Sequence, residues 1–160
     1  MYLEASTKSS TTIPNSSVEL SFEALNRSNL SMELTSLKVL PENRVIAKNI
    51  NLLPNKKENF KETITITNTM YSSPYWLEKP WDLGMYTVED QTLIGKPETP
   101  RPIEIEYQLK INNEEITFKR PVVHRFSKRD KGEIYEPFEV LPKVTTKLND
   151  KVLILSLIHI

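Results

Sequence analysis

The sequence predicts an all-β protein, an immunoglobulin-like antiparallel β-sandwich. Apolar and polar residues alternate with period two over several segments, which is typical of strands with one buried face. These segments recur about every ten residues, as in sandwich domains. No amphipathic helical pattern of useful length lies between them. At this spacing, residues 15–126 hold about seven strands, enough for one sandwich.

The strand segments follow one another with turn residues between them. Clear alternation covers residues 18–24 and 30–34, a weaker run covers 50–52, and Phe60 begins a run to residue 67. The phase slips at Thr35 and Ser36, which predicts a β-bulge or a bend in the second strand.

The clearest strand is residues 103–111, where every odd position is apolar and every even one polar. A turn centred on Asn113 and Glu114 places Ile111 opposite Ile116 and aligns both apolar faces. The sequence therefore predicts a β-hairpin with this register.

Residues 71–102 differ from the rest of the chain. They hold both tryptophans, two of the three glycines and five prolines. This composition predicts a long loop with one short strand at residues 85–88. Loops of this length in compact domains are usually functional or packed over a sheet edge.

The ends of the chain give three further segments. Residues 1–14 form a polar N-terminal segment, extended or frayed, that resembles the interior of a longer protein and has no secretory signal. Residues 127–136 are a polar linker. Residues 137–160 are the start of a second, truncated β-sandwich, with strand-like runs at 138–140, 144–148 and 152–158, and we expect the last few residues to be non-native.

Composition excludes several classes of function. Lys+Arg and Asp+Glu are both 21, so the net charge is zero and no basic surface for nucleic acid or an anionic membrane is expected. The absence of cysteine excludes disulfides, thiolate metal sites and cysteine nucleophiles. Three glycines argue against a phosphate-binding loop. The most apolar run, residues 152–160, is less than half the ~20 residues that a membrane helix needs.

The ionisable residues predict no metal or cofactor site. His124 and His159 are far apart and lack metal-ligand spacing, and His124 is expected to be structural or exposed. Glu104 and Glu106 share the solvated face of the best strand. A self-contained hydrolase would draw its acids from the loop, and its carboxylate candidates are Asp82, Glu89 and Asp90. Such a hydrolase is the least favoured hypothesis.

Aromatic residues in the loop are the remaining functional signal. Exposed aromatic rings could stack on the apolar face of a sugar, so a carbohydrate-binding module is one hypothesis. Its candidate glycan contacts are Tyr75, Trp76, Trp81 and Tyr86. The alternative is that these rings cover one end of the sandwich core, since large aromatics dominate core burial. The covering role is favoured.

The loop and the segment after the hairpin also resemble a known family, the bacterial PIG-L-like de-N-acetylases. The resemblance covers residues 18–150. It rests on Tyr75-Trp76-Leu77, Gly84-x-Tyr86-x-Val88, Leu93-Ile94-Gly95-x-Pro97 and Asp130-Lys131-Gly132-Glu133-x-Tyr135-x-Pro137. The chain departs from the family pattern at residues 128–131, where a longer turn containing Asp-Pro is expected.

The resemblance implies that this chain is a non-catalytic β region downstream of a zinc-dependent deacetylase domain. No residue here matches the family's His-Pro-Asp-Asp zinc motif, so no catalytic, cofactor or metal residue is carried over. The implied partner is the catalytic deacetylase domain of the same protein, exported to the periplasm or the outside of the cell. A glycan is a second partner under the carbohydrate-binding hypothesis.

Overall fold

The computed structural model describes residues 1–67 and 71–146. Their regular structure is almost entirely β, with two short 3₁₀ turns and ten strands. The strands are β1 (Tyr2–Thr7), β2 (Thr11–Thr12), β3 (Ser17–Leu25), β4 (Met32–Leu40), β5 (Arg44–Asn51), β6 (Lys57–Thr65), β7 (Glu104–Ile111), β8 (Glu114–Lys128), β9 (Gly132–Pro137) and β10 (Glu139–Val140). No helix in this part of the chain is long and apolar enough to cross a membrane.

Eight of the ten strands are paired continuously through β8, which divides them into two sheets, and β2 and β10 form a separate two-stranded sheet. In one sheet the order is β6-β3-β1 followed by the C-terminal half of β8, and β9 pairs with the other side of that half. In the other sheet the order is β5-β4-β7 followed by the N-terminal half of β8. All these pairs are antiparallel except β1 with β8, which is parallel.

This pairing is that of an immunoglobulin-like sandwich. Strands β1, β3 and β6 take the places of strands A, B and E in one sheet. Strands β4, β7 and β8 take the places of C, F and G in the other, and β5 adds the strand that variable-type domains place beside C. The predicted fold class is therefore confirmed.

The core lies between the two sheets, because alternate residues of each strand point inward. On β3 the inward residues Leu20, Phe22 and Ala24 are buried, and on β7 so are Ile105, Tyr107 and Leu109. The Phe22 ring stacks on Phe60 of β6 at 5.1 Å and meets Tyr107 edge-on at 6.5 Å, joining the two sheets.

The predicted bulge in the second strand is confirmed. The pairing register of β4 shifts between Leu34 and Ser36 against both of its neighbours, β5 and β7. Against β7, Thr35 is the extra residue, and its hydroxyl donates to the Gln108 carbonyl at 3.0 Å, whereas against β5 the two residues Lys48 and Asn49 lie opposite Thr35. The shift lets Leu37 and Val39 return to the buried face.

The predicted hairpin forms, but its register was wrong by two residues. Ile111 pairs with Glu114, and Ile116 lies opposite Leu109. The turn residues are Asn112 and Asn113, with φ angles of 48° and 71°, as a two-residue type I′ turn requires. A shift of two residues keeps every side chain on its face, so sequence alternation could not distinguish the two registers.

The N-terminal segment is extended, which was one of the two alternatives predicted for it, and the predicted linker belongs to a strand pair. Residues 2–7 are not frayed, because β1 lies in the middle of a sheet and buries Leu3 and Ala5 in the core. The predicted linker, 127–136, is the end of β8, a turn with Gly132 at φ 74°, and β9.

After β9 the chain crosses one end of the sandwich. Phe138 and Val140 are buried in the same core as β3 and β7, and β10 pairs with β2. Residues 144–146 have no strand structure, and the rest of the predicted strands at 144–148 and 152–158 lies outside the described residues. The second sandwich therefore stays a prediction.

Candidate functional site: the aromatic loop

The loop that follows β6 is attached to the sandwich through hydrogen bonds at Ser72. The Ser72 amide donates to the Val140 carbonyl at 2.7 Å, and the Val140 amide donates to the Ser72 hydroxyl at 2.9 Å. Further along, the Tyr75 amide donates to the Thr99 hydroxyl at 3.0 Å and joins the two ends of the loop. The short strand predicted at residues 85–88 is absent, and the regular structure within residues 71–102 is two 3₁₀ turns, Tyr75–Leu77 and Gln91–Leu93, and one isolated bridge between Asp82 and Met85.

Tyr75 is the buried anchor of the loop. It is 9% exposed, and its hydroxyl approaches the Lys96 carbonyl at 3.4 Å. Its ring meets the Trp76 ring edge-on at 4.9 Å with an interplanar angle of 90°. These two rings therefore do not form one flat platform, and only Trp76 presents part of its surface to solvent.

Trp81 and Tyr86 lie on either side of the turn at the tip of the loop. Asp82 and Met85 form a backbone bridge with N–O distances of 3.2 and 2.8 Å, and Leu83 and Gly84 between them have positive φ angles, as in a type I′ turn. Trp81 and Tyr86 are the residues that directly precede and follow this bridge. Trp81 is 67% and Tyr86 57% exposed.

A cleft of about 400 Å³ lies between the loop and the end of the sandwich. Trp76 and Tyr71 line it together with Phe138, and three prolines of the returning loop complete the apolar wall. Its ionisable lining residues besides Tyr71 are Glu78, Glu98, Arg101 and Glu139. Trp81 and Tyr86 do not line this cleft, so the four candidate aromatics divide between a buried anchor, a cleft and a tip.

The carboxylate candidates are dispersed. Asp90 accepts hydrogen bonds from the Thr92 hydroxyl at 2.6 Å and the Thr92 amide at 2.9 Å, and these bonds lower its pKa. Asp90 thereby caps the second 3₁₀ turn, whereas a general acid needs a raised pKa. Glu89 pairs with Lys79, and Asp82 belongs to the tip.

Glu104 and Glu106 lie on the outward face of β7, as predicted, and Glu106 is 3.8 Å from the Lys119 ammonium. His124 of β8 is half-buried, and its Nδ1 donates to the Thr7 carbonyl at 3.0 Å, so this histidine is structural. His159 lies outside the described residues. Within residues 1–67 and 71–146, no group of three or more His, Asp or Glu side chains could hold a metal ion.

Sequence reasoning missed an ion network on the outer face of the β1–β3–β8 sheet. The Arg125 guanidinium lies 3.0 Å from a Glu4 oxygen and 3.6 Å from a Glu23 oxygen, although the Glu4 contact lacks hydrogen-bond geometry. Lys57 pairs with Glu23 at 2.8 Å, and the Tyr2 hydroxyl donates to Glu4. Glu4 and Glu23 are each only 8% exposed. The network depends on cross-strand register, which the sequence does not reveal.

Comparison of the sequence with protein-family models and with curated proteins finds no match.

Proposed function

We propose that this chain is an accessory, non-catalytic β-sandwich region of a PIG-L-like deacetylase. The proposal is supported by one observation: residues that carry the family resemblance also determine the conformation of the loop. Tyr75 is the buried anchor, and Gly84 and Gly95 have φ angles of 78° and 87°, which glycine adopts without strain. The resemblance therefore rests on positions with a physical role in this fold.

The test is to sequence the reading frame on both sides of the gene segment that encodes this chain. The proposal expects an upstream, in-frame domain with a His-Pro-Asp-Asp motif and a distant histidine. A start codon at Met1 preceded by an in-frame stop codon would refute it.

A second candidate function, carbohydrate binding, is favoured by the tip of the loop. Trp81 and Tyr86 are exposed on either side of the Asp82–Met85 bridge, and exposed aromatic rings offer an apolar surface to a sugar ring. This role is compatible with an accessory region of a carbohydrate-modifying enzyme.

Titration with an N-acetylglucosamine trimer tests the second candidate. Tryptophan fluorescence of the chain should change on binding, and Trp81→Ala should abolish the change. Leu83→Ala is the matched control, because Leu83 is 94% exposed at the same tip but carries no ring. Unchanged fluorescence in the original chain, together with no heat of binding, would exclude the candidate.

A further inference from the structure

The 400 Å³ cleft beside Trp76 is chemically distinct from the tip of the loop. Its walls combine aromatic rings and prolines with three carboxylates and one guanidinium, which gives a formal charge of −2. The whole chain is neutral, so this negative charge is a local property of the cleft.

Two of the three carboxylates are available to a ligand. Glu98 is already paired with Arg101. Glu78 and Glu139 have no ion pair with any residue of the described ranges. Glu139 is half-buried, and its amide donates to the Ser10 carbonyl at 2.8 Å, so β10 fixes its backbone beside the cleft.

We infer that this cleft binds a saccharide that carries free amino groups, such as a glucosamine oligomer. The indole of Trp76 suits both the sugar ring and the amino group of such a ligand. Its face can pack against an apolar face of the sugar, and its π electrons attract an ammonium group. The carboxylates of Glu78 and Glu139, which have no ion pair within residues 1–67 and 71–146, complement the positive charge of the amine.

The size of the cleft agrees with this class of ligand. Small-molecule sites are typically clefts of about 300–1,000 Å³ with mostly apolar walls and a few polar groups. Hydroxyls of Ser73 and Thr99 line the same cleft and offer hydrogen bonds to sugar hydroxyls. The choice of an amino sugar over a lysine-containing peptide rests on the proposed function, because removal of an acetyl group from an N-acetylated sugar leaves a free amine.

The experiment compares two trimers that differ only in N-acetylation. We expect the chain to bind the glucosamine trimer at least about tenfold more tightly than the N-acetylglucosamine trimer in low-salt buffer, with the difference shrinking as salt is added. Trp81→Phe makes Trp76 the sole tryptophan, so a fluorescence change in that variant reports binding at the cleft. Isothermal titration calorimetry gives the affinities.

Substitutions in the cleft identify the contacts. Glu139→Gln and Glu78→Gln should each weaken glucosamine binding by about three- to tenfold while leaving binding of the acetylated trimer unchanged. Both changes conserve size. Glu115→Gln, an exposed carboxylate on β8, is the matched control and should have no effect. Trp76→Phe keeps an aromatic ring and should weaken binding without loss of the fold, which circular dichroism verifies.

Each other outcome overturns the inference. Equal affinity for the two trimers, or equal affinity for a lysine trimer, would remove the basis for an amino sugar. Binding of the acetylated trimer that depends on Trp81 alone would support the tip as a glycan site and refute the cleft. No binding of either trimer would refute both glycan sites. The accessory role would not be affected by that result, because it is tested by the flanking reading frame.

Discussion

Tyr107 is the largest fully buried side chain of the core, and its hydroxyl has no hydrogen-bond partner within residues 1–67 and 71–146. A buried hydroxyl without a partner destabilises the folded state, because it loses its bonds to water. We therefore expect Tyr107→Phe to leave the free energy of unfolding unchanged or to raise it by about 1 kcal/mol. Urea unfolding measures the change, with the exposed Tyr86→Phe as control. A loss above about 1 kcal/mol would mean that the hydroxyl is bonded after all.

The same residue predicts a loss of stability in alkali. Burial raises the pKa of Tyr107 well above its usual value of 10.0, so the folded chain keeps a proton that the unfolded chain releases. The free energy of unfolding should therefore fall as the pH rises above about 10. In Tyr107→Phe this fall should be shallower by about 1.4 kcal/mol per pH unit, as measured by urea unfolding at several alkaline pH values. Equal slopes in the two proteins would contradict the assignment.

The Arg125 guanidinium balances the charge of two carboxylates that lie opposite each other, one on β1 and one on β3. Glu4 and Glu23 are directly paired in register and almost fully buried. We expect Arg125→Met to cost about 2–3 kcal/mol, somewhat below the range for a fully buried pair because the Arg125 side chain is 30% exposed. Thermal or urea unfolding measures the cost. Adding Glu4→Gln should recover part of the loss, and failure of this rescue would show that the charges are not the cause.

At the scale of elements, the β7–β8 hairpin gives a prediction about its turn. Asn112 and Asn113 both have positive φ angles, and glycine at the second position of a type I′ turn carries less strain. Asn113→Gly should raise the free energy of unfolding by up to about 1 kcal/mol, whereas Asn113→Ala should lower it by a similar amount. The Glu114→Gly variant is a control, because that residue belongs to the strand in the observed register. Equal effects at the two positions would favour the turn predicted from the sequence.

The sequence could predict strands but only part of their pairing. Alternation revealed β3, β4 and β7, and a slip of phase revealed the bulge at Thr35. It missed β1, because Glu4, Ser6 and Thr7 are polar residues whose burial depends on partners from other strands. Most of β5 was also missed, since an edge strand with an exposed side needs no strict apolar pattern.

For the candidate site, sequence could identify the loop but not the arrangement of its rings. Clustering of aromatics, glycines and prolines marked residues 71–102. The separation of Tyr75, Trp76 and Trp81 into a buried anchor, a cleft and a tip depends on turns at Leu83 and Gly84 and on contacts with Phe138. These contacts join positions far apart in the chain, and local pattern carries no information about them.

At the scale of the whole molecule, the segment after β9 completes the core. Phe138 is 1% exposed and packs at one end of the sandwich, with Val140 beside it. We expect Phe138→Ala to destabilise the protein by about 3–5 kcal/mol, because it leaves a cavity in the core. Chemical unfolding measures the change, and the exposed Val144→Ala is the control. A cost below about 1 kcal/mol would indicate that this segment folds apart from the sandwich.

The parallel contact between β1 and β8 has a mechanical consequence. Tension between the N-terminus and the end of β8 pulls Ala5–Thr7 and Val122–His124 in opposite directions along their own axes, so their hydrogen bonds bear the load together in shear. Tension applied at Pro137, the end of β9, acts differently, because Pro137 lies directly across from Val123 and the β8–β9 pair opens one bond at a time. A chain held at its N-terminus and at Pro137 should therefore release β9 at low force and resist at the β1–β8 contact, so that the two strand pairs of β8 open at different forces.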